Sequence, residues 1–155
     1  MSDPERKIIV RNRRAFRDFE IHERIEAGVA LLGPEVKSLR AGQGSIAEAY
    51  AAIRKGELWL LDMHIPEYAH KGYAPHEPRR PRKLLVHRRE LKKLEIATTR
   101  RGLTLVPLQL YFLKGRVKAE LALARGRKRH DKREQVKKEE AKKEARAAQG
   151  KRARR

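Results

Sequence analysis

The stretch LTLVPLQLYFLKGRVKAELALARG, residues 103–126, alternates apolar with polar or small residues on both sides of Lys114-Gly115. Period-two alternation around a two-residue turn predicts an antiparallel hairpin of two strands. Pro107 has no amide to give the ladder, so the first strand is expected at a sheet edge or with a bulge there. At Gly126 the alternation stops. Between Arg125 and Arg155 there are fifteen Lys/Arg against five Asp/Glu, a net charge of +10. Val136, Ala141, Ala145 and Ala148 form only a thin apolar stripe in that segment. Any core must therefore lie before it, which divides the chain into a barrel domain, 1–126, and a basic tail, 127–155.

Upstream, the pattern is again mostly that of strands. DFEIHERIEAGVALLG, residues 18–33, alternates loosely and reads as one long strand, with Gly28 expected as a bulge or bend. In GPEVKSLRAG, Pro34 suits the first helical position and Gly42 closes about two turns. AYAAIRKGELWLLDMHI reads as two strands around Lys55-Gly56, with Trp59, Leu61 and Met63 on the apolar face. PEYAHKGYAPHEPRRPR carries four prolines and reads as a long loop, whereas KLLVHRRELKKLEIATTRRG runs into a helix through Leu84, Leu91 and Leu94. The count is five or six strands with short helices. The expected fold class is mainly β with short α-helices: a small antiparallel barrel of OB type, followed by a tail that is disordered when free and helical against a polyanion.

The charge limits the partners. The chain has 155 residues and a net charge of +20, so the first 124 residues carry as much positive charge as the tail. Both parts can bind a polyanion. No apolar run approaches the ~20 residues of a spanning helix, and the tail lacks the apolar face of an interfacial one, so a membrane is not expected. MSDPERKIIVRNRR has no apolar stretch of the kind that marks a secretory signal. With no cysteine there is neither a disulfide framework nor a thiolate metal site, which is compatible with the cytoplasm. Nucleic acid is the simplest partner.

Catalysis finds little support. His22 with Asp18 or Glu20, and His70 with His76 and Glu77, are the candidate nuclease or metal groups. Neither matches a ligand spacing of known specificity, and there is no Ser or Cys nucleophile motif. No metal, cofactor or catalytic residue is expected. Two places favour RNA instead. Glu35 either serves the positive end of its helix or accepts hydrogen bonds from base and ribose donors, and Lys37 and Arg40 on the same helix suit phosphates. Arg79, Arg80, Arg82 and Lys83 lie close in sequence to Tyr68 and Tyr73, and such cations and aromatics can neutralise phosphates and stack on unpaired bases.

NRRAFRDFEI, EAGVALLGPEVKSLRAG, RRPRKLLVHRREL, GLTLVPLQLYF and GRVKAELALARGRKRHDKR together resemble the SsrA-binding protein family, SmpB, over residues 12–133. The loop AHKGYAPHEP departs from the family pattern, in which many members carry asparagines between the glycine and His-x-Pro. The resemblance implies an OB-type barrel that binds the tRNA-like domain of transfer-messenger RNA. It also implies a tail that enters the empty mRNA channel of a stalled ribosome, in trans-translation, with help from elongation factor Tu. Asn12, Glu35, Lys37, Ser38, Arg40, Lys118, Arg125 and Gly126 match positions of the RNA-facing surface, which Arg80, Arg82, Lys83 and Lys128 extend. His130, Asp131, Lys132 and Arg133 match the motif that reaches the decoding region of small-subunit rRNA. On chemistry alone His130 is either a spacer or a stacking platform, and Asp131 is also suited to cap the following helix. Two rivals stand beside this reading: a structural ribosomal protein with its arm buried in rRNA, and an RNA-processing enzyme.

Overall fold

Two tight turns set the register of the sheet. Lys114 and Gly115 have φ of 51° and 75°, and Lys55 and Gly56 have 51° and 74°. Positive φ at both central residues is the turn geometry whose twist matches that of the flanking strands, so both Lys-Gly pairs make the expected hairpins. The computed structural model describes residues 5–67, 76–127 and 136–146. Along the chain it places β1 (Lys7–Arg11), α1 (Ala15–Asp18), β2 (Phe19–Val29), α2 (Gly33–Arg40), β3 (Tyr50–Arg54) and β4 (Glu57–Leu61). These are followed by β5 (Arg82–Leu85), α3 (Arg88–Thr99), β6 (Thr104–Leu113) and β7 (Arg116–Gly126). Residues 136–146 form a further helix, α4.

All strand pairings are antiparallel. The order β6-β3-β4-β5-β2-β7 closes on itself because β7 also pairs with β6. The ring is uneven: β3 meets β6 through the single pair Ala51–Leu105, while β2 and β7 pair over most of their length. This is an OB-like barrel, mainly β with short helices, as expected. Among the described residues the sheet has seven strands. The additional strand is β1, which pairs with the part of β6 from Gln109 to Phe112. Its sequence KIIVR is too short to show a period, so its pairing is a tertiary outcome.

Three local expectations need correction. The irregularity in β2 lies between Ile21 and Glu23, not at Gly28, which is regularly paired with both Leu85 and Lys118. Leu84 belongs to β5 and not to the helix of Leu91 and Leu94. In β4 the buried face is Leu58 and Leu60, with Trp59 half-buried on the other side. Asp62, at φ 58°, then changes the phase, so Met63 and Ile65 enter the core, while Leu61 is buried on the side of Trp59. The left-handed residue breaks the alternation from which the face is read. Pro107, by contrast, sits where expected, at a register shift against β7 between Pro107 and Gln109.

The main core fills the barrel with Leu58, Leu60, Leu84, Leu105, Leu110 and Leu121, and α3 adds Leu94 and Ala97. A second cluster lies under α1, where Ala15 meets Val106, Leu108, Ala122 and Ala124. Asn12 joins this region to the barrel by donating from Nδ2 to the carbonyls of Ile46 (3.3 Å) and Pro107 (3.1 Å). Leu84 and Leu85 are chemically identical neighbours with opposite fates, 2% and 54% exposed. Leu60→Ala is expected to cost about 3 kcal/mol in urea unfolding. Leu85→Ala should change stability by no more than about 0.5 kcal/mol in the same measurement.

Candidate nucleic-acid interface

The first turn of α2 is built around a buried acid. Pro34 starts the helix and needs no amide partner there. Glu35, third from the cap, turns its carboxylate back: Oε1 accepts from the Leu32 amide (2.8 Å) and from Arg80 Nη2 (2.5 Å). Oε2 accepts from Arg82 Nε (2.7 Å). Arg82 also donates from Nη1 to the Met63 carbonyl (2.6 Å) and from Nη2 to the Pro78 carbonyl (3.0 Å). Glu35 and Arg82 are both 0% exposed. Burial pushes the Glu35 carboxyl up, but the hydrogen bonds from Arg80, Leu32 and Arg82, with the charge of Arg82, hold it below the ordinary carboxylate value.

The same region is tied down from other sides. Ser38 donates from Oγ to the Pro66 carbonyl (2.7 Å), and buried His76 bonds through Nε2 to the Ile65 carbonyl (2.9 Å). The Ile65 amide donates to the Pro78 carbonyl (2.9 Å). Both stems of the proline-rich loop are thus fastened to α2 and to each other. Its middle, with Tyr68, His70 and Tyr73, lies outside the described residues.

This placement changes the roles available to several predicted site residues. Asn12, Glu35, Ser38 and Arg82 are buried, and each has a polar side-chain atom bonded to a partner within the chain. Glu35 meets neither expectation alone: it serves its helix N-terminus and also pairs with two arginines. Lys37 and Arg40 are exposed on α2, and the Arg40 guanidinium lies 5.6 Å from the centroid of the Phe112 ring. Lys83 is half-buried on β5 and pairs with Glu57 across 3.4 Å, a surface pair of little energetic weight. Arg125 and Gly126 are exposed at the end of β7, opposite Glu20 and Phe19. Lys128, His130, Asp131, Lys132 and Arg133 lie outside the described residues.

The structure also brings forward residues that were not expected at the site. A groove of about 300 Å³ runs beside Gly28, Val29, Leu31, Val36, Leu85 and Lys118. Leu32 and Leu85 are 48% and 54% exposed. A Cβ at Gly28 would make ordinary contact with the Leu85 Cβ at 3.4 Å and the Lys118 Nζ at 3.8 Å, so Gly28 lies directly between those two side chains. The sequence does carry a signal: the pairs Leu31-Leu32 and Leu84-Leu85 each break a period-two pattern, so one member of each must face outward. The exposed Leu85 beside Lys118 and Arg116 offers apolar contact for bases and sugars together with cations for phosphates.

A second basic surface lies at α1. A cavity of about 550 Å³ is lined by Arg11, Arg13, Arg17 and Arg24 together with Phe16 and Asn12, and α4 contributes Glu139 and Lys143. Arg17 Nε donates to Glu139 Oε2 at 3.1 Å. The candidate pair His22 and Glu20 is a surface contact of 3.9 Å. Among the described residues, no three His, Asp or Glu stand close enough together to hold a metal ion, and no helix is long and apolar enough to cross a membrane.

The family profile for SmpB protein matches residues 9–151. The chain is 54% identical over 134 residues to an SsrA-binding protein of Sphingopyxis alaskensis, covering 86% of this chain and 83% of the relative. It is 56% identical over 138 residues to that of Brucella canis, covering 88% and 87%. With that of Acidothermus cellulolyticus it shares 50% over 147 residues, covering 95% and 92%. In structure it is similar to a chain described under "tmRNA-SmpB: a journey to the center of the bacterial ribosome", with a TM-score of 0.65 and 47% identity, covering 82% of this chain and 93% of that one. Matches of this extent, over the barrel and α2 alike, place the chain in the SmpB family of SsrA-binding proteins.

Proposed function

We propose that this chain binds the tRNA-like domain of transfer-messenger RNA through its barrel and delivers it to stalled bacterial ribosomes for trans-translation. The observation that carries the reading is the face formed by Leu31, Leu85, Gly28 and Lys118, beside the frame that Glu35 and Arg82 lock. Family membership supports it, since the relatives are named for SsrA binding and the solved homologue for tmRNA on the ribosome. The function is binding and not catalysis. In this reading Lys37, Arg40, Lys83, Arg125 and Lys118 meet phosphates, while Asn12, Glu35, Ser38 and Arg82 hold the surface in shape. Arg80 does both, as it is only partly buried. Gly126 ends β7, and Lys128 is a further phosphate contact in this reading.

The tail has a different task in the proposal. A stalled ribosome without a codon is distinguished by an empty channel lined with phosphate, which a basic segment can enter and a filled channel excludes. At ~1.5 Å per residue, a helix from Asp131 to Gln149 spans about 28 Å, suited to a channel. His130, Asp131, Lys132 and Arg133 would meet the decoding region, with elongation factor Tu assisting delivery in the cytoplasm.

Leu85→Ala should lower affinity for the tRNA-like domain about tenfold. Lys118→Ala should reduce the slope of log affinity against log salt by about 0.7–0.9, as one phosphate contact is lost. Filter binding over a salt series measures both, and wild-type slopes and affinities for the two variants would refute the face. Glu35→Gln breaks a buried pair and should cost about 3 kcal/mol in urea unfolding. Because the Glu35 carboxyl titrates below its ordinary value of 4.5, its stabilisation is complete above that pH and fades as pH falls through the lower folded value. The variant's unfolding midpoint should depend less on acid than the wild type's. Full stability with lost RNA affinity would instead make Glu35 a contact. Deleting 132–155 should leave tight RNA binding and abolish peptide tagging on stalled ribosomes in a reconstituted translation assay; equal tagging by both forms would contradict the tail's role.

A further inference from the structure

Trp59 is the chain's one tryptophan, and it lies on the outer face of β4 and not in the core. Its neighbours on β4, Leu58 and Leu60, are 1% and 0% exposed and fill the barrel. Beside Trp59 opens a cavity of about 400 Å³ lined by Arg54, Leu61, Arg80 and Pro81. The walls are the indole, a leucine and a proline ring; the polar groups are two guanidinium groups. Arg54 is exposed on β3. Arg80 is held by its Nη2 bond to Glu35 and its Nη1 bond to the Pro81 carbonyl at 3.2 Å. Its Nε is buried without a hydrogen-bond partner among the described residues.

The cavity lies on the same side of the sheet as the Leu85 and Lys118 face. Trp59 is the cross-strand partner of Lys83. On β5, Arg82 and Leu84 point inward, so Lys83 and Leu85 share the outer row, which Pro81 begins. From Pro81 to Leu85 this row spans about 13 Å at strand rise. A flat apolar wall and two guanidinium groups at one end thus join the exposed Leu85 and Lys118 at the other.

We propose that the Trp59 cavity is a nucleobase site, taking one unstacked base of the bound RNA against the indole while Arg54 meets the adjoining phosphate and Arg80, held by Glu35, walls the other side. The inference rests on the RNA-binding reading and adds a second point of grip to it. The chemistry favours a nucleotide because an indole surface selects a flat π system and the two arginines select an anion beside it. An acidic peptide would satisfy the cations but leave the indole without a stacking partner.

The tryptophan itself reports the event. Titration of the full chain with the tRNA-like domain should quench Trp59 emission with the same midpoint as binding measured by filter retention. Trp59→Ala should weaken binding about tenfold, whereas Trp59→Phe, which keeps a ring, should retain most of the affinity. Arg54→Ala, an exposed change that does not disturb the core, should lower the salt slope by about 0.7. Unchanged emission at saturating RNA, with wild-type affinity for Trp59→Ala and a wild-type salt slope for Arg54→Ala, would overturn the site and leave the Leu85 and Lys118 face standing. Failure of the wild-type chain to bind the RNA at all would overturn both. Quenching by poly-glutamate but not by RNA would reassign the cavity to an acidic peptide and refute the proposal.

Discussion

The buried ion pair of Glu35 and Arg82 is the constraint on which the rest of this molecule turns. Removing two charges from water is costly, and the pair offsets that cost only because nearly every hydrogen-bonding position is used. Glu35 accepts from Leu32, Arg80 and Arg82, and Arg82 donates onward to the carbonyls of Met63 and Pro78. Those partners come from five segments: the entry to α2, α2 itself, the exit of β4, the returning loop stem and β5. A leucine and a methionine could fill the same volume. They could not fix the approach of a loop stem to a helix, because apolar contact does not prescribe direction. What the pair supplies is orientation.

That orientation has a consequence on the other side of β5. Since successive strand residues face opposite ways, holding Arg82 inward necessarily turns Lys83 outward, and burying Leu84 turns out Leu85. The internal bracing and the external face are two readings of one strand. A slip of one residue would place the guanidinium in solvent and leave Glu35 buried without its pair, a loss far greater than any contact the outer face makes. Gly28 on β2 pairs with both Leu85 and Lys118 and so sits between them on this face.

How much of this is legible in the sequence follows the range of each interaction. The Lys-Gly turns, the bulge at Pro107 and the start of α2 at Pro34 depend on local backbone chemistry, and each can be read in advance. The family resemblance also holds under comparison, because motifs in unbroken order carry information that composition does not. The face of β4 is misjudged from alternation because Asp62 changes the phase through a left-handed conformation that no alternation announces. Glu35, Ser38 and Arg82 look like ligands for RNA because charged and polar residues ordinarily stay in solvent. Their burial depends on partners 28 to 47 positions away, which no window of sequence contains. Leu32 and Leu85 escape notice for the converse reason: apolar residues are assigned to the core by default.

The contrast in bonding between barrel and tail bears on the proposed division of labour. Arg17 and Glu139 form an ion pair at 3.1 Å, with side chains 51% and 32% exposed. In water and salt such a pair contributes about 0–1 kcal/mol, and α4 offers no large apolar side chain to add to it. Val136 is the one residue of α4 larger than alanine that is wholly hydrocarbon, and it is half-buried. Opposed to this is the repulsion between a basic helix and the four arginines of the α1 surface. Among the described residues, the contacts of α4 with the barrel are thus of the weak, solvent-exposed kind, while the Glu35–Arg82 frame is of the buried kind. The proposed division of labour, a face that must not deform and an arm that must be free to leave, calls for these opposite energetics: buried charges in the barrel and largely solvent-exposed ones on α4.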